Sequence, residues 1–298
     1  MPTERTLVVG ATGFLGREIV GQLRGAGRSV RAVVRTGAAA DKLADLNHLG
    51  VEACAADLKD IGSLERACQS VTSVISTATA MMSRQDGDSI ETVDEQGQLN
   101  LIGAAERLGV QHYVFISFAP TPVDFALQRA KRRVEERLRV GQIPFTVLQA
   151  AFFSEIWLSP ALGFDPAQGR ARVYGEGDGA VSWISVHDVA RFAAAASEGN
   201  AFVGKVIPLG GPDALSQLQV LRIFRELGGP ECALDYLREP ALEAQLANAT
   251  NPFEEAFAAL MLTVSRGLTV DARLGRQLLP GRLVTVREYA GRMLEQIH

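Results

Sequence analysis

The chain has 298 residues, 47% hydrophobic and 21% charged, enough to bury a large core in one or two domains. A formal net charge of −4, with no basic tail and no Lys/Arg block, argues against a nucleic-acid partner. Cys54, Cys68 and Cys232 are scattered without metal-ligand spacing, so free thiols and no metal are expected. No apolar run is long enough to span a bilayer, and the opening Met-Pro-Thr-Glu-Arg-Thr does not read as a signal peptide, which makes the cytoplasm the expected setting.

A β-type run at 6–10 comes first. It ends in Gly10-Ala-Thr-Gly-Phe-Leu-Gly16, and a helical pattern at 14–26 follows at once. Gly10 permits a sharp turn out of the strand, Gly13 removes a side chain where backbone must approach a pyrophosphate, and Gly16 lets the helix pack close to the sheet. The free N–H groups of the helix start and its dipole suit an anion. Gly10, Thr12, Gly13, Phe14 and Leu15 are therefore the expected dinucleotide contacts; the alternative is a tight strand–helix turn that binds nothing.

The second apolar run, 29–34, ends in Val33-Val34-Arg35. An NAD site places a carboxylate near this point for the ribose 2′-hydroxyl, whereas Arg35 offers a planar cation suited to a 2′-phosphate. The sequence thus points to NADP(H), against the alternative of an exposed arginine at a strand end. A helix is predicted over 39–49 and a third strand over 51–55, leading to Asp57 and Leu58. Asp57 reads either as an adenine-side acceptor or as a loop or helix-capping residue. Helix 60–69 and strand 71–76 lead to Thr77 and Ala78, small residues suited to a passing cofactor or to any crowded strand end. Helix 88–109, strand 111–116, helix 124–140 and strand 144–149 complete an alternation that implies a doubly wound parallel α/β sheet of order 3-2-1-4-5-6, a Rossmann fold.

After residue 150 the pattern changes. The sequence predicts strands at 171–174, 181–186 and 203–209, and helices at 188–197, 214–228, 239–248, 252–263 and 285–297. Asp188 stands where it would cap the first of these helices. The expected organisation is a dinucleotide-binding domain over 1–155 and a smaller C-terminal substrate lobe over 156–298, with some segments returning to the sheet.

Gly10-Ala-Thr-Gly-Phe-Leu-Gly16, Arg35, Asp57-Leu58, the helix with Lys131 and Ser182-Trp-Ile-Ser-Val-His-Asp-Val-Ala190 together resemble atypical short-chain dehydrogenase/reductases, specifically the NmrA-like group with its isoflavone-reductase-like enzymes and NADPH-dependent quinone reductases. The resemblance covers residues 5–155 best and fades after about 215. It implies an NADP(H)-binding Rossmann fold with a small-molecule substrate held by the C-terminal lobe. It also implies roles for Ser117, after the fifth strand, and for Lys131 as the lysine that holds the nicotinamide ribose.

The usual Tyr-x-x-x-Lys pair is broken, because Leu127 stands four residues before Lys131. Lys131 then reads as a cofactor ligand or as a solvated lysine, and Ser117 as a catalytic hydroxyl or as a strand-end serine satisfying backbone. Phe152 reads as a wall of the nicotinamide site or as core. Two functions follow: an NADPH-dependent reductase of a quinone or conjugated carbonyl, and an NADP(H)-binding sensor or assembly protein. A homodimer or a protein partner stays open.

Overall fold

The computed structural model describes residues 4–38, 40–82 and 85–295, so residue 39 and residues 296–297, at the ends of two predicted helices, lie outside the described residues. The chain divides into two compact units. The first comprises 1–117, 129–149 and 189–207; the second comprises 118–128, 150–188 and 208–298.

The first unit is built on β1 (Arg5–Val9), β2 (Ser29–Val34), β3 (Glu52–Ala55), β4 (Ser73–Ser76), β5 (His112–Phe118) and β6 (Phe145–Ala150). Helices α1 (Phe14–Gly25), α2 (Ala40–His48), α3 (Ile61–Cys68), α4 (Gln96–Arg107) and α5 (Ala126–Val140) connect them. Leu7, Val8, Val74, Ile75, Val114, Phe115 and Leu148 are all inaccessible to solvent. Strands buried on both faces read as continuous apolar runs, and each such side chain contributes about 1.5–3 kcal/mol of burial. Helix α1 turns Leu15, Ile19, Val20 and Leu23 inward, a helical stripe that covers the sheet. Pairings β1–β2, β2–β3, β1–β4 and β4–β5 are parallel.

The predicted order 3-2-1-4-5-6 is observed and continues into a seventh strand, the ninth in chain order. Before it come β7 (Phe164–Asp165) and β8 (Arg170–Tyr174); β9 itself is Lys205–Leu209, and β10 is Ala233–Leu237. The second unit carries a separate sheet of order β10-β8-β7. Its helices are α6 (Ser154–Trp157), α8 (Gln217–Glu226), α9 (Glu239–Ala247), α10 (Pro252–Arg266), α11 (Arg273–Leu278) and α12 (Val286–Glu295), while α7 (Val186–Glu198) runs from the second unit into the first.

Three expectations need correction. Residues 181–186 form no strand: Val181 N–H donates to Leu215, Ser182 N–H to Leu268 and Ile184 N–H to Phe152, so each residue bonds a different segment and no ladder forms. Asp188 does not cap α7, which begins two residues earlier; its carboxylate accepts instead from Val284 N–H at 2.7 Å. The predicted helix 88–109 opens with a π-helical turn, Ile90–Glu95, capped by Ser89. No helix among the described residues is long and apolar enough to cross a membrane.

Candidate cofactor site

The turn from β1 into α1 is held by its own backbone. Gly10 has φ +86°, and its carbonyl accepts from Gly13 N–H at 2.9 Å. A Cβ at Gly10 would stand 2.7 Å from Thr77 Oγ1 and 2.9 Å from Ala78 N, so the missing side chain lets the end of β4 close on the turn. A Cβ at Gly16 would lie 2.0 Å from Gly10 O. At Gly13 the only near neighbour among the described residues would be that carbonyl, at 3.2 Å. Gly13 is also the N-cap of α1, no side chain caps the helix, and its first turn holds no acid.

Among the described residues, no side chain caps this helix end and no acid offsets its dipole, which fits a bound pyrophosphate. Thr12 is half-buried in the turn, Phe14 is 58% exposed, and Leu15 packs inward, leaving its backbone N–H for any ligand contact.

At the end of β2, Arg35 donates to Asp88, which also accepts from Lys59. Asp57 Oδ1 accepts from Lys59 N–H at 2.8 Å. The helix-capping alternative for Asp57 gives way to Asp60, whose carboxylate accepts from Ser63 N–H at the start of α3. Leu58 is buried against α4, where a Cβ at Gly97 would meet its Cβ at 2.7 Å. After β4, Gln98 accepts from Ser76 Oγ at 2.7 Å and donates to Ala78 O at 3.3 Å, fixing the strand end that carries Thr77 and Ala78.

Lys131 is 5% exposed, which removes the solvated alternative. Its Nζ lies 3.1 Å from Asp94 Oδ1 and 5.0 Å from the centroid of the Phe115 ring. Asp94 Oδ2 accepts from Ala80 N–H at 2.8 Å. A buried ammonium is tolerated where an anion is fixed beside it. The Ser117 hydroxyl accepts from Arg132 at 3.2 Å; Arg132 also pairs with Glu135, which accepts from Gln149 Nε2 at 2.9 Å. Burial pulls the Arg132 pKa down against the opposing effect of Glu135. Tyr113 is fully buried, donates to Gln98 at 3.3 Å, and has its pKa pushed up by burial, which disqualifies it as a substitute proton donor. Phe152 belongs to the second unit, where its ring lies edge-on to Trp157 at 4.9 Å and to Trp183 at 6.2 Å.

Residues 2–266 match the NmrA-like family. This chain belongs to that family. Among its relatives is the (4-alkanoyl-5-oxo-2,5-dihydrofuran-3-yl)methyl phosphate reductase of Streptomyces griseus, 30% identical over 256 residues that cover 84% of each chain. Another is the photosystem II assembly factor Ycf39 of a Synechocystis strain, 29% identical over 76% of this chain and 68% of that one. Among solved structures, the NADPH complex of the quinone oxidoreductase QOR2 from Escherichia coli superposes with a TM-score of 0.77 over 97% of this chain and 99% of that one, at 23% identity. At that identity the likeness speaks for the fold, and the Rossmann expectation agrees with it.

Within this NmrA-like chain, sequence reasoning missed Lys59, Asp88, Asp94, Gln98, Arg132 and Glu135. Asp94 and Gln98 carried a signal: each is a polar residue in a helical stripe that otherwise turns Ile90, Val93 and Leu101 inward. Lys59 carried a weaker one, as one of only four lysines. Among the described residues, no group of three or more His, Cys, Asp or Glu side chains is placed to hold a metal ion.

Proposed function

We propose that this NmrA-like protein is an NADPH-dependent reductase of a small apolar acceptor, a quinone or a conjugated carbonyl. The observation that carries this reading is the hydrogen bond that Ser117 Oγ accepts from Arg132. A guanidinium only donates, so it occupies a lone pair of Ser117 and leaves the hydroxyl proton to point elsewhere. A hydroxyl polarised by a cation is a strong donor to an oxygen gaining negative charge.

NADPH, when bound, supplies a hydride from C4 of its nicotinamide. Ser117 stabilises the acceptor oxygen, and water supplies the proton. Lys131, held as an ion pair beside Asp94, keeps N–H donors for the ribose hydroxyls. Gly10, Thr12, Gly13, Phe14 and Leu15 hold the pyrophosphate, with Thr77 and Ala78 alongside. Arg35 takes the 2′-phosphate, and Asp57 and Leu58 border the adenine. The resemblance to a dihydrofuranone phosphate reductase supports a conjugated acceptor. Such acceptors are good electron sinks and do not need the proton that the absent tyrosine, replaced by the buried Leu127, would deliver.

The test is NADPH and NADH oxidation by the purified protein across a panel of quinones and conjugated carbonyls. Faster oxidation of NADPH is expected. Tight NADPH binding without turnover of any acceptor overturns the reductase reading.

Leu127 together with the likeness to Ycf39 favours one second reading, an NADP(H)-dependent assembly protein. It requires a partner whose capture in a pull-down changes when NADP(H) is added; an unchanged profile counts against it.

A further inference from the structure

Two basic side chains from different loops close on one carboxylate. Arg35, after β2, donates to Asp88 Oδ2; Lys59, after β3, donates to Asp88 Oδ1. The Asp88 side chain is 2% exposed, while Arg35 and Lys59 keep 36% and 31% of theirs open. The anion is therefore covered by cations that still face outward. Lys59 also lies 3.6 Å from Asp57 Oδ2.

The segment that delivers Asp88 runs through a turn in which Thr92 Oγ1 donates to Gly87 O at 2.8 Å. Gly87, just before it, has φ +76° with open space where a Cβ would be. Asp88 N–H donates to Gln85 O at 3.2 Å, and Gln85 Nε2 to Thr36 O at 3.2 Å. An anion that displaces this carboxylate meets the same two cations. These cations come from the two strand ends that flank the expected 2′ position of a dinucleotide ribose. A phosphate dianion carries more charge and more acceptor oxygens than the carboxylate it replaces, which favours the exchange.

We propose that Asp88 occupies the 2′-phosphate position in the cofactor-free protein, and that Lys59 is the second cation of that position beside Arg35. NADP(H) then binds by displacing a resident carboxylate, whereas NAD(H), with only a hydroxyl at that point, does not. Asp88 accordingly costs the protein affinity for NADPH and works against its own selectivity. This inference rests on the NADP(H) reading above.

The experiment is calorimetric titration of NADPH, NADH and 2′,5′-ADP into the wild-type protein and into Lys59→Gln, Asp88→Ala and Arg35→Gln variants. Lys59→Gln is expected to weaken NADPH and 2′,5′-ADP about tenfold, the loss of one charge-assisted contact, with NADH unchanged as the check on folding. Asp88→Ala is expected to tighten both phosphate ligands several-fold and to leave NADH alone. Unchanged NADPH binding in Lys59→Gln, or weakened NADH binding in Asp88→Ala, overturns the proposal; the second result makes Asp88 a ribose-hydroxyl ligand instead. Arg35→Gln separates the two levels. If it too leaves the NADPH-to-NADH ratio untouched, the NADP(H) reading itself fails; if it alone shifts the ratio, only the displacement inference does.

Discussion

Asp94 and Lys131 form an ion pair of 3.1 Å whose two side chains are 0% and 7% exposed. The carboxylate comes from a π-helical turn and its other oxygen is held by Ala80 N–H, so the lysine is tied to the chain that leaves β4. Removing one partner strands a charge without water. Asp94→Asn is expected to lower unfolding free energy by about 3–5 kcal/mol in urea titrations, and the double variant Asp94→Leu, Lys131→Met to recover much of it. A single variant with the wild-type midpoint would mean that water reaches the pair.

The glycines of the first turn should separate folding from binding. A methyl at Gly16 meets Gly10 O at 2.0 Å, so Gly16→Ala is expected to destabilise by at least about 2 kcal/mol. Gly13 has φ −79°, and a Cβ there would have one near neighbour among the described residues, so Gly13→Ala is expected to cost only about 1 kcal/mol while abolishing NADPH binding. Thermal unfolding and fluorescence titration of both variants check this; Gly13→Ala with intact binding would sink the pyrophosphate assignment.

Alkaline stability follows from buried acids, Tyr174 among them. Burial pushes the Cys68 thiol from its ordinary 9.0 up to about 12, against a smaller opposing effect of Arg31. Burial likewise raises Tyr113 and Tyr289 above their ordinary 10.0. In each case the folded state keeps its proton while the unfolded chain loses one. Their contribution is complete below pH 9 and declines as pH rises toward 12, by up to about 1.4 kcal/mol per pH unit for each group. Cys68→Ala is expected to flatten the profile between pH 9 and 10, measured by denaturant unfolding. In the wild type, a thiol reagent at neutral pH should modify the half-buried Cys54 and Cys232 well before Cys68.

Ser117→Ala removes a hydroxyl that Arg132 already engages. Turnover is expected to fall roughly tenfold to a hundredfold with NADPH affinity unchanged, and Ser117→Thr to retain most activity. Single-turnover NADPH oxidation with a quinone reads both. Equal activity in the wild type and Ser117→Ala would assign Ser117 a purely structural part.

The parallel sheet was legible because strands buried on both faces leave a long apolar signature, as in Leu7–Val9 and Val114–Ile116. Residues 181–186 carry the same signature yet form no strand, since burial alone makes them apolar and three different segments share their hydrogen bonds. Strand β10 was invisible for the opposite reason: Ala233, Leu234 and Asp235 are exposed, and Leu234 gains no buried face to mark it. At the site, Gly10 and Gly16 were readable because backbone geometry there demands glycine. Asp94 carried only the signal of a polar residue in an inward helical stripe, and nothing in the sequence pairs it with Lys131. Lys59 and Asp88 lie in loops, where charge has no period and only three-dimensional proximity joins them.

The polypeptide passes between the two units at 117/118, 128/129, 149/150, 188/189 and 207/208. No single breakpoint therefore yields two intact halves: a fragment holding the first six strands would lack β9, and the remainder would lack residues 118–128. Recombination that exchanges one contiguous C-terminal block between family members must carry a strand of the nucleotide sheet with it. Exchanging either unit whole would need several coordinated crossovers, so diversification of such a chain is expected to proceed by point substitution rather than by shuffling.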